Sequence, residues 1–141
     1  MSYAVIYFSR TGTSRCIAGK IAKKLSVKPL EVTDNMDWDG ALGYIRAVHH
    51  ALNNKDVTIQ ILGEIGKPDE YIVVTPMWAG KITPAIRTLL KELPKDKVHL
   101  IVSSGGSSLK QRDGYLSVLD IRKKDKNEDE LIDAFVSSLS K

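Results

Sequence analysis

The sequence contains one cysteine, Cys16, among its 141 residues, and this scarcity excludes several classes of protein. A single cysteine cannot close an intramolecular disulfide or supply a cysteine cluster around a metal, which is typical of a reducing compartment. Long hydrophobic runs are missing too, since stretches such as residues 100–102 fall far short of the ~20 residues that cross a bilayer. Residues 1–5 show no signal-peptide pattern. The sequence therefore predicts a cytoplasmic protein with no membrane span.

Glycine-rich nucleotide motifs are also absent. Neither Gly-Lys pair, at positions 19–20 and 80–81, is followed by serine or threonine, so the sequence has no P-loop. No Gly-x-Gly-x-x-Gly follows the first apolar run at residues 3–8, so the dinucleotide-binding fingerprint is missing. Tyr7 and Phe8 stand where a phosphorelay receiver has acidic residues. We therefore exclude P-loop nucleotide hydrolysis and predict no phosphorelay role.

Acidic residues are absent from the first 30 positions, which carry six basic side chains: Arg10, Arg15, Lys20, Lys23, Lys24 and Lys28. This local excess favours an anion near the first strand and helix. Over the whole chain, 21 Lys+Arg against 17 Asp+Glu leave a mild formal net charge of +4. A second basic run, residues 122–126, lacks the interleaved aromatic residues of nucleic-acid sites. We predict a solvated loop there and no nucleic-acid binding.

Metal ligands and nucleophiles form no recognisable set. His49 and His50 are adjacent on a predicted helix and point in different directions, and His99 begins a predicted strand. Cys16 does not open the Cys-x5-Arg pattern of thiol phosphatases. The sequence thus predicts no metal site and no catalytic side chain.

Strands and helices alternate along the chain, which is 43% hydrophobic. Apolar runs rich in β-branched residues predict strands, and apolar residues at helical spacing predict helices. The predicted strands are 3–8, 28–33, 71–75, 98–102 and 116–121, and the predicted helices are 17–25, 83–93, 127–139 and one from Asp37 or Asp39 to residue 52. This order predicts a single three-layer α/β domain over residues 1–141, with helices on both faces of a parallel sheet.

Two stretches depart from this alternation. Residues 55–70 combine an alternating run with two glycines and a proline, which indicates an irregular excursion or an edge strand. Only thirteen residues separate Val102 from Leu116, and many of them are glycine, serine or charged. The fourth helix, expected between the fourth and fifth parallel strands, is therefore shortened or absent.

Ligands of open parallel sheets bind beyond the carboxyl ends of the strands, so the loops after the first, third and fourth of these strands are candidate sites. The first loop leads directly into a helix and consists of Ser9, Arg10, Thr11, Gly12, Thr13 and Ser14. A helix amino terminus holds phosphate through its backbone N–H groups and dipole, and hydroxyl side chains complete the shell. The alternative is a hydroxyl-rich turn that only caps the helix.

The other two loops offer a ring surface and hydrogen-bond donors. The loop after the third strand contains Pro76, Met77, Trp78, Ala79 and Gly80. Trp78 either presents a flat face to a planar ring or closes the edge of the core. The loop after the fourth strand contains Ser103, Ser104, Gly105 and Gly106, which supply backbone N–H groups or form a flexible turn.

Together these loops resemble those of the flavodoxin family. Residues 9–14 match its phosphate-loop pattern, hydroxyl-x-Thr-Gly-x-hydroxyl, and residues 76–80 are similar to its first ring-flanking loop. The resemblance covers nearly the whole chain. It implies a flavodoxin-like fold with a five-stranded parallel sheet in the order 2-1-3-4-5, and FMN as the cofactor.

The resemblance also implies roles for the loop residues. The FMN phosphate would be held by Ser9, Thr11, Gly12, Thr13 and Ser14, with Arg10 pointing outward or screening it. Trp78 would stack on the isoalloxazine, and its neighbours Pro76, Met77, Ala79 and Gly80 would flank the ring. The Ala79-Gly80 peptide falls where the family reorients a carbonyl as the ring is reduced, and residues 103–106 match the second ring-flanking loop by position only.

The function that the resemblance implies is electron transfer between redox partner proteins through bound FMN. An NAD(P)H-dependent FMN or quinone reductase of the same superfamily is one alternative, and a flavin-free interaction module is the other. The shortened fourth helix would leave part of a sheet face uncovered, which favours self-association as a homodimer. The net positive charge departs from the acidic flavodoxins that shuttle electrons, so the usual basic partner surface is not expected.

Overall fold

The structure of the chain is a computed structural model that describes residues 1–10, 12–34, 59–78 and 80–139. The strands are β1 Tyr3–Tyr7, β2 Leu30–Asp34, β3 Ile59–Leu62, β4 Glu70–Trp78, β5 Lys81–Ile82, β6 Val98–Ser104 and β7 Ser117–Arg122. The helices within these ranges are α1 Thr13–Leu25, α2 Pro84–Leu90 and α3 Glu128–Leu139. The helix predicted to end at residue 52 lies outside the described residues. Each helix in the described ranges is too short or too polar to cross a membrane.

The sheet is mixed and has seven strands, so the prediction of five parallel strands is wrong in its strand count and in the complete order. The strands lie in the order β3-β2-β1-β4-β6-β7, and β5 pairs with β4 beside this path. The steps joining β2, β1, β4, β6 and β7 are parallel. Strand β3 is antiparallel to β2, and β5 is antiparallel to β4. The α/β class itself is confirmed.

Local sequence explains both added strands. In β3, Ile59 and Ile61 are half-buried while Gln60 and Leu62 are exposed, as expected of an edge strand with one wet face. The edge strand that the sequence offered as an alternative within residues 55–70 is therefore confirmed. Strand β5 exists because Gly80, with φ of 79°, reverses the chain and brings Lys81 opposite Trp78.

Two clusters of buried side chains hold the helices on opposite faces of the sheet. One cluster joins α1 and α3 to the sheet through Ile17, Ile21 and Ile132. The other joins α2 to the sheet through Ile86 and Leu89. Successive residues of a strand point to opposite faces, so each central strand contributes to both clusters. Helices therefore cover both faces, as the sequence predicts.

Helix α2 begins where the sequence predicts, with Pro84 at its first position after Thr83. Proline is tolerated there because its missing N–H would have no partner within the helix. The Thr83 hydroxyl does not cap the helix; it lies 2.9 Å from the hydroxyl of Thr75, and both side chains are buried. This contact fixes the start of α2 against the end of β4.

Residues 105–116, all of which are described, contain no helix, so the predicted loss of the fourth helix is confirmed. The side chain of Leu109 is 5% exposed and belongs to the cluster on the α2 face. The Leu109 N–H donates to Asp120 Oδ1 at 3.0 Å, and Arg112 forms an ion pair with the same carboxylate. The connection is thus fixed to β7 and fills part of the space that a helix would occupy.

Side chains also tie the amino-terminal ends of three neighbouring strands. The imidazole of His99 in β6 lies 2.8 Å from Glu70 Oε1 in β4 and 2.7 Å from Ser117 Oγ in β7. These residues stand at the opposite edge of the sheet from the loops after β1, β4 and β6. The row of hydrogen bonds therefore stabilises strand pairing and is remote from the candidate site.

Candidate functional site

A cavity of about 640 Å³ opens where the parallel strands end, and we call it the strand-end cavity. Carboxyl ends of parallel strands share one edge of the sheet, where ligands of such folds bind. The residues that line it are Thr13, Pro76, Met77, Trp78, Ser103, Ser104, Gly105, Ile121, Arg122, Lys123, Lys126, Asn127, Glu128, Asp129 and Glu130. The structure thus brings together parts of all three loops that the sequence singled out.

The loop from β1 to α1 presents the amino terminus of a helix. Gly12 stands at the N-cap with φ of 98°, and its N–H donates to Ser9 Oγ at 2.8 Å. The first turn of α1 contains no acidic residue. The positive end of the helix dipole is therefore not neutralised by the helix itself, which favours an anion beside Thr13. Thr11 lies outside the described residues.

A pair of hydroxyls links this loop to the end of β6. Ser14 is 1% exposed, and its Oγ lies 3.5 Å from Ser103 Oγ, with either atom able to donate. Ser103 lines the strand-end cavity, whereas Ser14 lies behind it. Ser14 therefore supports the cavity wall through its contact with Ser103. Sequence spacing alone does not reveal this contact, because the two residues are 89 positions apart.

Trp78 belongs both to the core and to the wall of the strand-end cavity. Its side chain is 8% exposed and meets Phe8 edge to face, with 5.8 Å between ring centroids. This packing matches the alternative in which Trp78 closes the edge of the core, and stacking on a flavin stays a prediction. Pro76 and Met77 line the same wall, Gly80 lines a different concavity, and Ala79 lies outside the described residues.

The loop after β6 is shaped by its own hydrogen bonds. Ser104 Oγ accepts the Ser107 N–H at 3.1 Å and donates to the Ser107 carbonyl at 2.8 Å. The Gly105 carbonyl accepts the Lys124 N–H at 3.0 Å. A Cβ on Gly106 would lie 3.0 Å from Lys124 Cδ, so this glycine permits the close approach. The loop is therefore held against the segment that follows β7.

Residues 121–123 and 126–130 also line the strand-end cavity, and the sequence analysis missed them. Residues 122–126 are predicted as a solvated loop, yet Arg122, Lys123 and Lys126 lie on the cavity wall. One signal was available: this basic run directly follows the last parallel strand, whose carboxyl end lies at the same edge. Arg122 pairs with Asp125 at 2.8 Å, so Lys123 and Lys126 are the cations of this run that add to the positive end of the α1 dipole.

Three acidic residues at the start of α3, Glu128, Asp129 and Glu130, form another part of the wall, and Lys20 of α1 pairs with the first two. Lys20 Nζ lies 2.8 Å from Asp129 Oδ1 and 2.6 Å from Glu128 Oε2. These hydrogen bonds raise the pKa of Lys20, and the bond to Lys20 lowers the pKa of Asp129. The negative charge of this wall is thus partly cancelled, which reduces its repulsion of an anionic ligand.

Asn127 leaves a polar atom without a partner beside the strand-end cavity. The sequence predicts Asn127 as the cap of the last helix, and its carbonyl accepts the Leu131 N–H at 3.0 Å. Its buried Oδ1, however, has no hydrogen-bond partner among the described residues. A buried acceptor of this kind favours a ligand that donates a hydrogen bond.

No group of three or more metal-binding side chains occurs in the described ranges. Cys16 is exposed on α1 and is a free thiol. The polar groups of the strand-end cavity are hydroxyls, amides, three basic side chains and three carboxylates, so an anion is favoured only at the part of the wall formed by the amino terminus of α1 and the basic side chains.

Comparison with solved structures shows which fold this is. A provisionally named flavoprotein from Bacteroides eggerthii is 20% identical, with a TM-score of 0.74 and coverage of 99% of this chain and 98% of that one. A flavoprotein from Lactobacillus acidophilus, solved in complex with FMN, is 21% identical, with a TM-score of 0.66 and coverage of 92% and 97%. No protein-family model and no curated protein sequence matches the chain. The structural likeness establishes a flavodoxin-like fold.

Proposed function

We propose that this chain is an FMN-binding protein of flavodoxin-like fold that transfers electrons between partner proteins. The observation that carries the proposal is the amino terminus of α1, which has no acidic residue in its first turn and lies beside a cavity of about 640 Å³. A protein of similar fold is a flavoprotein solved in complex with FMN. Cavities of roughly 300–1,000 Å³ are typical of small-molecule sites.

In this proposal the phosphate lies at the start of α1. Ser9, Thr11, Gly12, Thr13 and Ser14 form the phosphate loop, and Arg10 points outward or screens the charge. Backbone N–H groups at a helix amino terminus bind phosphate through hydrogen bonds and through the dipole. Lys123 and Lys126 raise the electrostatic potential on the facing wall.

The ring of the flavin lies between the end of β4 with its turn into β5 and the end of β6 with the loop that follows, so that residues 76–78 and 103–104, predicted as loops, belong to the strand ends. Pro76, Met77, Trp78, Ala79 and Gly80 flank one side, and Ser103, Ser104, Gly105 and Gly106 flank the other. Asn127 Oδ1, which is buried without a partner, accepts a hydrogen bond from the cofactor. FMN supplies one- and two-electron redox chemistry when bound, whereas the chain orients it and excludes water from its inner edge.

The experiment that tests the phosphate site adds a carboxylate to the first turn of α1. Thr13→Glu places a negative charge at the positive end of the helix dipole, so the fold is expected to keep its stability. The same charge repels a phosphate, and we expect FMN affinity to fall by more than about tenfold relative to Thr13→Gln. Riboflavin lacks the phosphate and is expected to bind both variants alike. Flavin fluorescence quenching measures all four dissociation constants.

Two results would contradict the proposal. If the wild-type protein shows no saturable FMN binding, the fold serves a flavin-free function. If Thr13→Glu weakens riboflavin and FMN equally, the phosphate does not lie at α1.

Electron transfer and catalysis are separated by a second measurement on the FMN-loaded protein. A carrier is expected to oxidise NAD(P)H in the presence of a quinone no faster than free FMN does. Protein-dependent NAD(P)H oxidation would instead assign the chain as an NAD(P)H-dependent FMN or quinone reductase.

A further inference from the structure

The chain has a second concavity, of about 550 Å³, which we call the α2 groove. Its lining residues lie on α2, in the segment from α2 to β6, on the β4–β5 hairpin and in the connection from β6 to β7. They are Gly80, Lys81, Ile82, Arg87, Leu90, Lys91, Lys95, Leu109, Lys110, Gln111 and Tyr115. The hairpin separates the two concavities, because Met77 and Trp78 line the strand-end cavity while Lys81 and Ile82 line the groove.

The α2 groove exists because a loop replaces a helix. Residues 105–116 cross the α2 face of the sheet without forming a helix. Leu109 is buried in the core there. The Asp120 carboxylate accepts a hydrogen bond from the Leu109 N–H and forms an ion pair with Arg112. A loop fixed at these points covers less area than a helix would, and the remaining space lies against α2.

The floor of the groove is apolar and aromatic. Leu90 and Tyr115 are half-buried against the core cluster that contains Leu109, and Ile82 packs there too. Burial raises the pKa of Tyr115, so its ring stays neutral at ordinary pH. Lys95 Nζ lies 4.5 Å from the centroid of the Tyr115 ring. An apolar surface and a cation therefore stand side by side.

The walls of the groove carry charge of one sign. Among the described residues that line it are five cations, Lys81, Arg87, Lys91, Lys95 and Lys110, and no carboxylate. Lys95 and Lys110 are exposed; Lys110 belongs to the connection, and Lys95 lies beside Tyr115 of the connection. Cations above an apolar floor favour a ligand that has an apolar body and a negative charge.

We propose that the α2 groove binds a small organic anion. Its apolar or aromatic body lies against Leu109 and Tyr115, and its phosphate, sulfonate or carboxylate group faces Lys95 and Lys110. The groove volume of about 550 Å³ is within the range of roughly 300–1,000 Å³ that holds small molecules. Gly80 lines this groove and also flanks the flavin ring in the proposed function, whereas Leu109, Tyr115, Lys95 and Lys110 belong to the groove and not to the strand-end cavity.

A second copy of the chain is a poorer occupant of the groove. A twofold interface brings the same surface of each copy together, so the exposed cations Lys95 and Lys110 of the two copies would face one another. Their repulsion opposes the self-association that the sequence analysis favours for this face. Self-association stays a prediction, and it is one outcome of the experiment.

The experiment follows backbone amide NMR signals of the wild-type protein as 2-naphthalenesulfonate is added. We expect saturable shifts centred on residues 80–82, 109–111 and 115, with a dissociation constant below about 1 mM. The double variant Lys95→Gln/Lys110→Gln is expected to bind at least about fivefold more weakly. The matched control, Lys23→Gln/Lys28→Gln, loses the same charge outside the groove and is expected to bind like the wild type. Neutral 2-naphthalenesulfonamide is expected to bind more weakly than the sulfonate.

Any of four results would overturn the proposal. The shifts fail to saturate, or they centre on the strand-end cavity. The control pair weakens binding as much as the groove pair does. Dilution of the ligand-free protein moves the groove signals, which would assign the groove to contact between copies. Amide spectra of each variant show whether it is folded, so a loss of binding is not confused with unfolding.

Discussion

Gly12 holds the turn into α1 in a left-handed conformation that other residues adopt only at a cost. Its φ is 98°, and a Cβ added there would meet nothing within 4 Å. The position therefore requires glycine for its backbone angle and not for lack of space. The loop motif and the structure agree on this residue for different reasons, since the motif marks a phosphate loop and the structure shows the turn that aims α1 at the cavity.

Gly12→Ala is expected to destabilise the protein by about 1 kcal/mol or more, because alanine is strained at positive φ. Gly19→Ala is the matched control: Gly19 lies inside α1, and a Cβ there also meets nothing within 4 Å. Alanine at a helix interior is expected to stabilise by up to about 1 kcal/mol. Urea unfolding of both variants checks the pair, and shifts of the same sign would contradict this account of Gly12.

Leu109→Ala is expected to cost about 2–4 kcal/mol, because the side chain fills core space where a helix is absent. The control is Leu116→Ala in the same connection. Leu116 is 46% exposed against 5% for Leu109, so its truncation is expected to cost less than about 1 kcal/mol. Denaturant unfolding gives both values, and equal losses would show that Leu109 does not anchor the connection.

Helices α1 and α3 are joined by ion pairs as well as by their shared core. Lys20 pairs with Glu128 and Asp129, and Lys24 Nζ lies 2.6 Å from Asp133 Oδ1. The same contacts keep the start of α3 at the edge of the strand-end cavity. Their effect on stability depends on pH, since the pKa of Asp129 is lowered and that of Lys20 is raised.

Lys20→Gln is expected to lower the urea midpoint at neutral pH by an amount that disappears in acid. A lowered carboxyl pKa gives stability that is present above the unfolded value of about 3.9 and is lost as pH falls through the folded value. A raised lysine pKa gives stability that is complete below about 10.4 and is lost only as pH rises through the folded value. The difference in urea midpoint between wild type and variant should therefore be constant from about pH 5 to 9. It should disappear as the pH falls below about 4.

Lys23→Gln is the control for this pH series, because Lys23 is an exposed lysine of the same helix. It is expected to shift the urea midpoint little at any pH. A Lys20→Gln effect that persists unchanged at pH 3 would show that the ion pairs with α3 are not its source.

The whole molecule has a mild positive charge, +4, with its two concavities on either side of one hairpin. If FMN binds only the folded protein, it raises the unfolding temperature by mass action. At a concentration about 100 times the dissociation constant, the gain is about 2.7 kcal/mol, which corresponds to several degrees for a chain of this size. Differential scanning fluorimetry with FMN and riboflavin measures it, and no rise with FMN would contradict the proposed function.

Much of the framework could be predicted from local patterns. Apolar runs marked the parallel strands, Thr83-Pro84 marked the start of α2, and the short link between Val102 and Leu116 excluded a helix. Strand β5 was missed because two residues carry no periodicity. The mixed sheet was missed because antiparallel pairing of β3 depends on a distant partner, β2.

The candidate site was predictable only in part, because its residues come from distant positions. The loops after β1, β4 and β6 were found from their composition. The wall formed by residues 121–123 and 126–130 was not found in this way. A basic run indicates a solvated loop unless the position in the sheet of the strand before it is known. Trp78 shows the same limit: its position after a strand suggested a stacking surface, whereas its packing on Phe8 depends on the neighbouring strand.

The sequence by itself determined the properties that arise within a few residues: the alternation of strands and helices, the turn at Gly12, the lack of acid before residue 31 and the lack of a fourth helix. Only the tertiary structure decided which of these segments meet. Ser14 faces Ser103, Lys20 pairs with residues more than 100 positions away, and the cations of α2 gather with Lys95 and Lys110. The physical reason is that strand order is set by burial and hydrogen bonding between distant segments, and this order brings together charges and hydroxyls that are unrelated along the chain.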